Sequence, residues 1–346
     1  PSAYLNTPVH PFLKGNLSVN NDIPHRVIHG GKVRQFQQEQ GKGAIDFSAN
    51  LNPWPPAVPL SLPDDLISSY PDDRYLLLKE AIAERFHRSV EEIAVGNGSI
   101  ELIRVFCQAT LSRGDRVWIR NPTFGEYEMS ARLAGAIPAG EWQPAAAGFL
   151  CNPNNPTGEL QSRQAVLDLL SPAKTLFVDE AFIELSDINQ SVADVRDPSL
   201  FICRSLTKSF SVPGIRFGYG FGDPDLIERM EIIRPPWSVN SIAEQFAIRA
   251  FGRYEQLEQS RSRIRAEREW FISALRTLPL SVHPSDTNFL LLTFPYDVAP
   301  LCSALSVRGI LVRDCHSFGL PSSIRVAVRT RGENRLLLEA IGECMR

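Results

Sequence analysis

One lysine of this chain lies in a setting where a charged side chain is costly. Lys208 stands in the segment Ser-Leu-Thr-Lys-Ser-Phe-Ser-Val-Pro-Gly-Ile-Arg-Phe-Gly-Tyr, residues 205–219. Apolar runs at 200–203 and 215–221 flank the lysine, and each predicts a buried strand. A lysine on a loop is usually a solvated surface charge. Between two buried strands, however, an ammonium group is costly unless it has a partner or a function.

The groups around Lys208 indicate which function that could be. A lysine amine that loses its proton easily can form a Schiff base with a carbonyl. Ser205 supplies a hydroxyl before the lysine, and Arg216 follows the lysine by eight residues. Hydroxyls and a guanidinium are groups that bind phosphate. The segment therefore predicts an anchor for pyridoxal 5′-phosphate (PLP), with the remaining contacts to come from the rest of the chain.

Composition sets the broad class of the protein. Its 346 residues suffice for about two domains and a large core. Hydrophobic residues make up 43% and charged residues 22%, as in ordinary globular enzymes. With 36 Lys and Arg against 39 Asp and Glu, the net charge of -3 leaves no electrostatic footprint for nucleic acid or an anionic membrane. We expect neither as a partner.

Cysteine usage and hydropathy indicate a reducing compartment. The six cysteines, at positions 107, 151, 203, 302, 315 and 344, are scattered and form no Cys-x-x-Cys pair. They predict reduced core thiols rather than a disulfide framework or a zinc site, so no metal is expected. No apolar run approaches the roughly 18 residues of a membrane span, and the N-terminus lacks the apolar core of a signal peptide. We expect a cytoplasmic protein.

A strand, a glycine-rich turn and a helix follow one another near residue 98. The run 93–95 predicts the strand, Gly-Asn-Gly-Ser at 96–99 the turn, and the apolar spacing from residue 100 the helix. Such a turn presents free N–H groups and the positive end of a helix dipole to an anion. Gly98 and Ser99 are therefore candidate phosphate ligands, although two glycines also suit any tight turn.

Three further side chains follow predicted strands. Phe124 is either a core aromatic or a ring that lies flat against a planar cofactor. Asn155 belongs to Asn-Pro-Asn-Asn-Pro-Thr-Gly, residues 152–158, which is either a plain turn or a rigid platform for one amide. Asp179 follows the apolar run 175–178, and a carboxylate there lies at the edge where α/β sheets bind ligands.

The C-terminal part of the chain contributes two arginines on one strand. Residues 324–329 alternate with period 2, which places Arg325 and Arg329 on the same face. A closing helix is predicted at 334–345, with Asn334 as its N-cap.

The first 44 residues mix polar residues with proline and glycine and predict an arm with little core of its own. Within this arm, His29 precedes two glycines and is by itself either a loop residue or a functional one.

Taken in order, these motifs resemble the fold-type I PLP-dependent enzymes of the class I/II aminotransferase superfamily, over nearly the whole chain. The resemblance implies an α/β fold, with a large domain built on a mostly parallel seven-stranded sheet flanked by helices and a smaller α+β C-terminal domain. It implies an arm at 1–45 that contributes to the small domain and the active site, a PLP-binding domain at 46–255 and a small domain at 256–346. The motifs are Tyr-Pro-Asp (70–72), Gly-Asn-Gly-Ser (96–99), Pro-Thr-Phe (122–124), Asn-Pro-Asn-Asn-Pro-Thr-Gly (152–158), Val-Asp-Glu-Ala-Phe (178–182), Ser-Leu-Thr-Lys-Ser-Phe (205–210), Gly-Ile-Arg-Phe-Gly-Tyr (214–219) and Ile-Arg-Val-Ala-Val-Arg (324–329).

Within that superfamily, the chain is most similar to the histidinol-phosphate aminotransferases and the L-threonine-O-3-phosphate decarboxylases of cobalamin biosynthesis. Three features resemble the decarboxylases. His-Gly-Gly at 29–31 precedes Asp-Phe-Ser-Ala-Asn-Leu-Asn-Pro at 46–53, and Pro-Thr-Phe-Gly-Glu-Tyr occupies 122–127. Phe182 stands where aminotransferases commonly carry tyrosine.

The resemblance implies a role for each residue that meets the cofactor ring. Lys208 would form the Schiff base, and Asp179 would pair with the pyridine nitrogen and keep it protonated, which makes the ring an electron sink. Asn155 would hydrogen-bond the ring hydroxyl and also contact substrate, and Phe124 would stack on the ring. Phe182 lacks the phenol that helps to hold the hydroxyl in relatives, so Asn155 would act there alone.

The resemblance also implies a phosphate cradle for the cofactor. Gly98, Ser99, Ser205 and Arg216 would hold the PLP phosphate, with Tyr70 reaching it from a partner subunit. The implied assembly is a homodimer with a shared active site.

For the substrate, the resemblance implies two anion contacts. Arg325 would clamp the carboxylate, to which a bidentate guanidinium is well suited. Arg313, together with His29, would bind the substrate's own phosphate. Arg329 has no implied role, and we expect it to be a solvated strand charge.

The expected reaction is PLP-dependent decarboxylation of L-threonine O-3-phosphate to (R)-1-aminopropan-2-yl phosphate. The alternative is a histidinol-phosphate or related aminotransferase, because the catalytic motifs serve both reactions. A non-catalytic PLP-binding regulatory module is a third interpretation. Two observations argue against this third interpretation. The composition has no basic bias, and the segment before residue 46 is shorter than a winged-helix DNA-binding domain.

Overall fold

The computed structural model describes residues 26–60, 63, 66–142, 145–171 and 174–345. The first 25 residues of the predicted arm, and with them the reading of the N-terminus for a signal peptide, lie outside this part. The strands are β1 (Ile45–Asp46), β2 (Ile93–Gly96), β3 (Arg116–Ile119), β4 (Ile137–Ala139), β5 (Ala147–Cys151), β6 (Thr175–Asp179), β7 (Leu200–Ser205), β8 (Gly218–Phe221), β9 (Ser281–Val282), β10 (Phe289–Thr293), β11 (Ile310–Leu311), β12 (Arg313–Asp314) and β13 (Ser323–Ala327). The α-helices are α1 (Val33–Gln40), α2 (Leu76–Phe86), α3 (Ser99–Thr110), α4 (Glu126–Leu133), α5 (Arg163–Leu167), α6 (Leu206–Ser209), α7 (Pro224–Ile233), α8 (Ser241–Phe251), α9 (Leu257–Leu275), α10 (Ala299–Val307) and α11 (Arg331–Cys344).

The larger sheet has seven strands in the order β2-β8-β7-β6-β5-β3-β4. Strand β8 is antiparallel to both of its neighbours, and every other pairing is parallel. All residues of β5 and β7 are buried, as expected for strands that are covered by helices on both faces. The predicted α/β fold with a mostly parallel seven-stranded sheet is confirmed.

A smaller antiparallel sheet, β12-β13-β10-β9, lies in the C-terminal part of the chain. Its apolar face shares a core with Phe271 of α9 and Leu337 of α11. The short strand β1 pairs in parallel with β11, and Phe47 is fully buried in this same core. Residues 45–47 therefore pack against small-domain elements, and the domain boundary at residue 46 stays a prediction.

The closing helix begins earlier than the sequence predicted. Thr330 is its N-cap and forms a capping box with Glu333, so α11 starts at Arg331. This box satisfies two backbone donors reciprocally, which fixes the first turn three residues before Asn334. The prediction of Asn334 as N-cap was wrong. Its buried amide instead donates to Glu267 Oε1 at 3.0 Å.

The ends of β6 and β7 are joined by a buried ion pair. Arg204 is 1% exposed and donates through Nε and Nη2 to Glu180 Oε2, at 3.0 and 2.8 Å. The Tyr254 hydroxyl accepts a further bond from Arg204 at 2.8 Å. Removing one partner of such a pair leaves an uncompensated buried charge, which typically costs about 3–5 kcal/mol. The two strand ends are therefore firmly fixed relative to one another.

No helix in the described ranges is long and apolar enough to cross a membrane. All six cysteines are free thiols, and four of them are buried. The described residues include no group of three or more His, Cys, Asp or Glu side chains that could hold a metal ion.

Candidate active site

The loops at the carboxyl ends of the parallel strands meet around one cavity of about 400 Å³. Parallel strands end at the same edge of a sheet, so residues far apart in sequence come together there. Of the predicted site residues, Ser99, Phe124, Asn155, Asp179, Ser205, Lys208 and Arg216 line the cavity, as do His29, Arg313 and Arg325 from outside the large sheet. Gly98 lies directly beside Arg216, which lines the cavity, and Tyr70 lies elsewhere.

Lys208 lies in α6, the four-residue helix that follows β7. Its carbonyl accepts a hydrogen bond from Asn52 N at 3.0 Å, and its side chain lines the cavity. Burial first, and then the charges of Arg325 and Arg216, lower the pKa of Lys208 from 10.5 to about 8. The amine is therefore neutral far more often near neutral pH than an ordinary lysine, as a nucleophile must be.

Asp179 ends β6 and is 3% exposed. The Tyr127 hydroxyl donates to its Oδ2 at 2.7 Å, and the backbone N–H of Ala181 donates to Oδ1 at 2.9 Å. Burial raises the pKa of Asp179, and both hydrogen bonds act in the opposite direction. A buried carboxylate that faces a cavity is stabilised by a cation there, such as a protonated pyridine nitrogen.

Tyr127 is a site residue that sequence reasoning did not find. It lies in the first turn of α4, is fully buried, and stacks on Phe149 with ring centroids 5.1 Å apart. In the sequence, Tyr127 stands only as the last residue of the Pro-Thr-Phe-Gly-Glu-Tyr motif, and nothing local distinguishes it from a core aromatic. Its one distinguishing feature, the bond to Asp179, spans 52 residues.

An anion cradle forms where β2, β7 and β8 meet. Gly98 has φ of 80°, and a Cβ atom there would lie 2.6 Å from Arg216 Nη2. Glycine is therefore required both by conformation and by close approach. The 12-residue helix α3 starts at Ser99 and directs free N–H groups at the same space. Hydroxyls of Ser205 and Thr207 line it as well, and sequence reasoning had not singled out Thr207 as a ligand.

Arg325 and Asn155 are brought into direct contact. Arg325 Nη1 donates to Asn155 Oδ1, and Arg325 Nη2 donates to the carbonyl of Ser48 at 2.7 Å. The guanidinium lies over the ring of Phe289, 5.4 Å from its centroid. Its Nε is buried and has no hydrogen-bond partner in the part of the chain that the structure describes. Burial lowers the pKa of Arg325 to about 10, which still leaves the side chain charged at neutral pH.

Arg313 lies directly beside Arg325, since these two residues pair in the β12–β13 register. Arg313 Nη2 donates to the carbonyl of Ile28 at 2.8 Å and to Ser317 Oγ at 2.6 Å. Two guanidinium groups on neighbouring strands therefore line one cavity.

His29 reaches the cavity wall from the arm. Its Nε2 lies 2.9 Å from Glu126 Oε1, and its ring centroid lies 5.9 Å from that of Phe124. His29 and Arg313 thus line the same cavity, but the hydrogen bonds of each go to other protein groups.

Phe182 lies in the cavity wall, whereas Arg329 lies outside the cavity. Phe182 lines the cavity and packs edge-to-face on Phe289, with centroids 5.0 Å apart. Arg329 was predicted to be a solvated charge, but it lies beyond the end of β13 and is only 25% exposed. It donates to Glu333 Oε1 at 2.6 Å, since the capping residue of α11 brings that carboxylate within reach.

Tyr70 does not approach the cavity of its own chain. Its side chain is 80% exposed and rests on Trp237, with ring centroids 4.6 Å apart. Its contribution to a partner's site stays a prediction.

Charge is the dominant property of the cavity. Four cationic side chains line it, whereas among its described lining residues only Asp179 is acidic. The cationic groups are Lys208, Arg216, Arg313 and Arg325. Such a cavity is suited to ligands that carry more than one anionic group.

Comparison with known proteins now gives the family. The family model described as aminotransferase class I and II matches residues 45–139 and 144–341. The chain belongs to this family. Enzymes of the family work with PLP, and the chain is a PLP-dependent enzyme.

Individual relatives differ in their reactions. The chain is 32% identical to a histidinol-phosphate aminotransferase of Symbiobacterium thermophilum, covering 91% of this chain and 94% of that protein. It is 35% identical to a protein of Caldanaerobacter subterraneus named "Putative threonine-phosphate decarboxylase", covering 90% and 92%. The solved L-threonine-O-3-phosphate decarboxylase of Porphyromonas gingivalis is 28% identical, with a TM-score of 0.73, over 80% of this chain and 93% of that one. Most of the similar curated relatives are histidinol-phosphate aminotransferases.

The residues of the cavity fit PLP. A lysine amine with a lowered pKa, a buried carboxylate and a separate cradle of N–H, hydroxyl and guanidinium groups match its aldehyde, ring nitrogen and phosphate. The close approach of Gly98 to Arg216 leaves no room for a side chain in that cradle.

We expect Lys208→Ala to abolish covalent attachment of PLP, because no other lysine lines the cavity within the described residues. The wild type should show the visible absorbance of lysine-bound PLP and, after borohydride reduction, a PLP adduct on the Lys208 peptide by mass spectrometry. Lys42→Ala is the control, since Lys42 is exposed and donates to the Val307 carbonyl. An unchanged spectrum in Lys208→Ala would refute the anchor assignment.

We expect Tyr127→Phe to weaken PLP binding about tenfold, a typical effect of losing a hydrogen bond to a charged group. Loss of this donor raises the pKa of Asp179 further, so the carboxylate is protonated more readily and the deficit is larger at acid pH. Titration of the apoenzyme with PLP at two pH values measures this. Tyr296→Phe, at an exposed tyrosine, is the control. Equal affinity of Tyr127→Phe and wild type at both pH values would contradict the role of Tyr127.

Proposed function

We propose that the chain decarboxylates L-threonine O-3-phosphate to (R)-1-aminopropan-2-yl phosphate and CO2, as a step of cobalamin biosynthesis. One observation carries this proposal. His29, from the His-Gly-Gly motif, contacts both Phe124 and Glu126 of the Pro-Thr-Phe-Gly-Glu-Tyr loop. Two of the three sequence features that resemble the decarboxylases therefore combine into one wall of the cavity. The 35% identical relative, whose name points to the same reaction, supports the proposal.

The ring of the cofactor would be held by four groups. Asp179 would pair with the ring nitrogen, Asn155 would donate to the ring hydroxyl, and Phe124 would cover one face. Lys208 would carry the covalent link. Bound there, PLP supplies a carbonyl for the substrate amine and a ring that takes up the electrons of the broken Cα bond.

The cofactor phosphate would lie in the cradle at the start of α3. Gly98 and Ser99 would offer N–H groups, Ser205 and Thr207 hydroxyls, and Arg216 its guanidinium. Arg216 donates only to the Pro213 carbonyl, at 3.2 Å, among the hydrogen bonds of the described residues, so its charge is free for an anion.

The substrate carries a carboxylate and a phosphate, and the cavity offers two arginines for them. Arg325 would bind the carboxylate and Arg313 the phosphate, with His29 beside it. Because Arg313 and Arg325 pair across β12 and β13, the separation of the two anion contacts is fixed by the sheet.

Orientation of the substrate would decide the reaction. The bond that breaks is the one held perpendicular to the ring plane, since only its electrons overlap with the ring. If Arg325 at the carboxylate and Arg313 at the phosphate orient the substrate so that the bond from Cα to the carboxylate stands in that position, CO2 would leave and the electron pair of the broken bond would be taken up by the ring. Lys208 Nζ or a water then delivers a proton to Cα. If Cα–H is held there instead, Lys208 removes that proton and transamination follows.

Transamination of histidinol phosphate is the second candidate. The Symbiobacterium relative, and most of the similar curated proteins, favour it. In that case Arg313 would still bind a phosphate, and Arg325 would bind a carboxylate of the keto acid partner.

We expect the purified enzyme with PLP to release CO2 from L-threonine O-3-phosphate in equal amount to the amine product, and to leave histidinol phosphate unchanged. Trapped CO2 and mass spectrometry of the product measure the reaction, and Lys208→Ala protein serves as the blank. Half-transamination of histidinol phosphate without CO2 from threonine phosphate would overturn the proposal in favour of the second candidate.

We also propose a homodimer in which Tyr70 of each subunit completes the phosphate cradle of the other. The family is typically dimeric. Tyr70 lies on an exposed apolar surface with Trp237, and Ile67 and Leu77 are 81% and 68% exposed. Several exposed large apolar side chains within one stretch of chain, residues 67–77, favour a protein interface there.

Co-expression of Tyr70→Ala and Lys208→Ala chains tests this sharing. Each variant alone should be strongly impaired. In the hybrid dimer, one site then has both native groups, so an equal mixture should recover about a quarter of wild-type activity. Hybrids purified with two different affinity tags isolate the effect, and wild type paired with Lys208→Ala is the control. No recovery in the purified hybrid, or full activity of Tyr70→Ala alone, would contradict the shared site.

A further inference from the structure

Glu126 is a buried carboxylate at the edge of the cavity that sequence reasoning gave no role. It is the first residue of α4 and is 5% exposed. His29 Nε2 lies 2.9 Å from its Oε1, and Arg104 Nη2 lies 3.4 Å from its Oε2. Glu126 therefore connects the arm with two helices of the large domain.

The packing around Glu126 fixes the arm against the cavity. A Cβ atom at Gly125 would lie 3.2 Å from Val27 Cγ1, so glycine allows the arm to approach closely here. On the far side, Gly31 N donates to Ser48 Oγ at 2.8 Å. His29 lies between these two contacts and is held by Glu126 alone through its side-chain hydrogen bonds within the described residues.

The ionisation of Glu126 determines which imidazole nitrogen carries a proton. The hydrogen bond from His29 lowers the pKa of Glu126, so the group is a carboxylate at neutral pH. A carboxylate only accepts hydrogen bonds, and Nε2 of His29 must therefore be the donor. In the neutral imidazole, Nδ1 then carries a lone pair. It can donate to a phosphate only after it takes up a second proton.

Other charged groups around His29 also affect that proton. Arg104 lies behind Glu126, and Arg313 faces the neighbouring Ile28 carbonyl. The outer surface of the same segment forms a second cavity, whose ionisable lining residues besides His29 are Lys32, Arg313, Asp314 and His316. His316 is bound by Asp314 and Asp297, so these three groups largely satisfy one another.

We propose that Glu126 is a positioning residue, which orients His29 and keeps its Nε2 protonated so that the substrate phosphate is bound by the imidazolium form. The imidazolium then lies between two anions, the Glu126 carboxylate and the phosphate. Binding of the phosphorylated substrate takes up one proton when the free imidazole is neutral. This inference rests on the proposed function only in that the substrate carries a phosphate.

The consequence is a KM that depends on pH, whereas kcat does not follow the same dependence. We expect KM for threonine phosphate to rise with pH in the wild type, measured from about pH 6 to about pH 9. Glu126→Gln should raise KM about tenfold at neutral pH and leave kcat within about twofold, because a neutral amide stabilises an imidazolium less than a carboxylate does. Glu126→Asp, which keeps the charge, should restore part of the wild-type behaviour.

Two controls separate positioning through His29 from a general structural effect. Glu128→Gln alters an exposed carboxylate on the same helix, paired with Arg132, and should leave KM and its pH profile unchanged. Introduced into His29→Asn, Glu126→Gln should raise KM less than about twofold further, because its effect is exerted through the imidazole. A full tenfold effect in the His29→Asn background, or a loss of kcat in place of a rise in KM, would overturn the inference.

Failure of the proposed function has a different signature. If the wild type releases no CO2 but transaminates histidinol phosphate, the decarboxylase proposal fails. The variants are then compared with histidinol phosphate, which also carries a phosphate. Unchanged KM for the phosphorylated substrate in Glu126→Gln overturns the role of Glu126 with either reaction.

Discussion

The active-site cavity concentrates positive charge that the protein does not neutralise. Arg216, Arg313 and Arg325 donate hydrogen bonds to backbone carbonyls, to Ser317 and to the amide of Asn155, and to no carboxylate among the described residues. Oxygen acceptors of this kind satisfy guanidinium protons and leave the net charge in place. The three charges therefore favour the binding of an anionic ligand, and those of Arg325 and Arg216 also lower the proton affinity of Lys208.

Charged side chains at the ends of β6 and β7 have different partners on the two faces of the sheet. Asp179 and Ser205 line the cavity, and Glu180 and Arg204 are their neighbours in the chain. Because successive side chains of a strand point to opposite faces, the side chains of Glu180 and Arg204 point away from the cavity. There Arg204 and Glu180 neutralise each other in a buried pair. The scaffold thus has a compensated ion pair under a cavity whose three arginines bond no carboxylate among the described residues. The buried pair stabilises the framework, whereas the arginines of the cavity need an anionic ligand to balance their charge.

In the proposed assignment, the groups for the PLP ring and the groups for the substrate come from separate parts of the fold. The residues proposed for the ring and the cofactor phosphate follow strands of the large sheet. The residues proposed to bind the substrate, His29, Arg313 and Arg325, lie in the arm, β12 and β13. Such a division would let family members keep one cofactor site and differ in reaction, since the substrate contacts would orient the bond that breaks.

The sequence by itself, through the resemblance of its motifs to a known family, predicted the seven-stranded sheet and the cofactor, and its apolar runs placed most of the residues that line the cavity. Lys208, Asp179 and Asn155 each follow an apolar run, and residues at such positions necessarily reach the carboxyl edge of a parallel sheet. Local motifs were sufficient there because the position of each residue depends on its own strand and turn.

Only the tertiary structure decided the contacts between residues that are distant in the chain. Tyr127 reaches Asp179 across 52 residues, His29 reaches Glu126 across 97, and Arg325 reaches Asn155 across 170. Periodicity does not encode which helix face meets which strand end, so the motif that contains Glu126 and Tyr127 gave neither residue a partner. The capping of α11 by Thr330 was missed for a different reason, since several polar residues there could have served and backbone geometry selected among them.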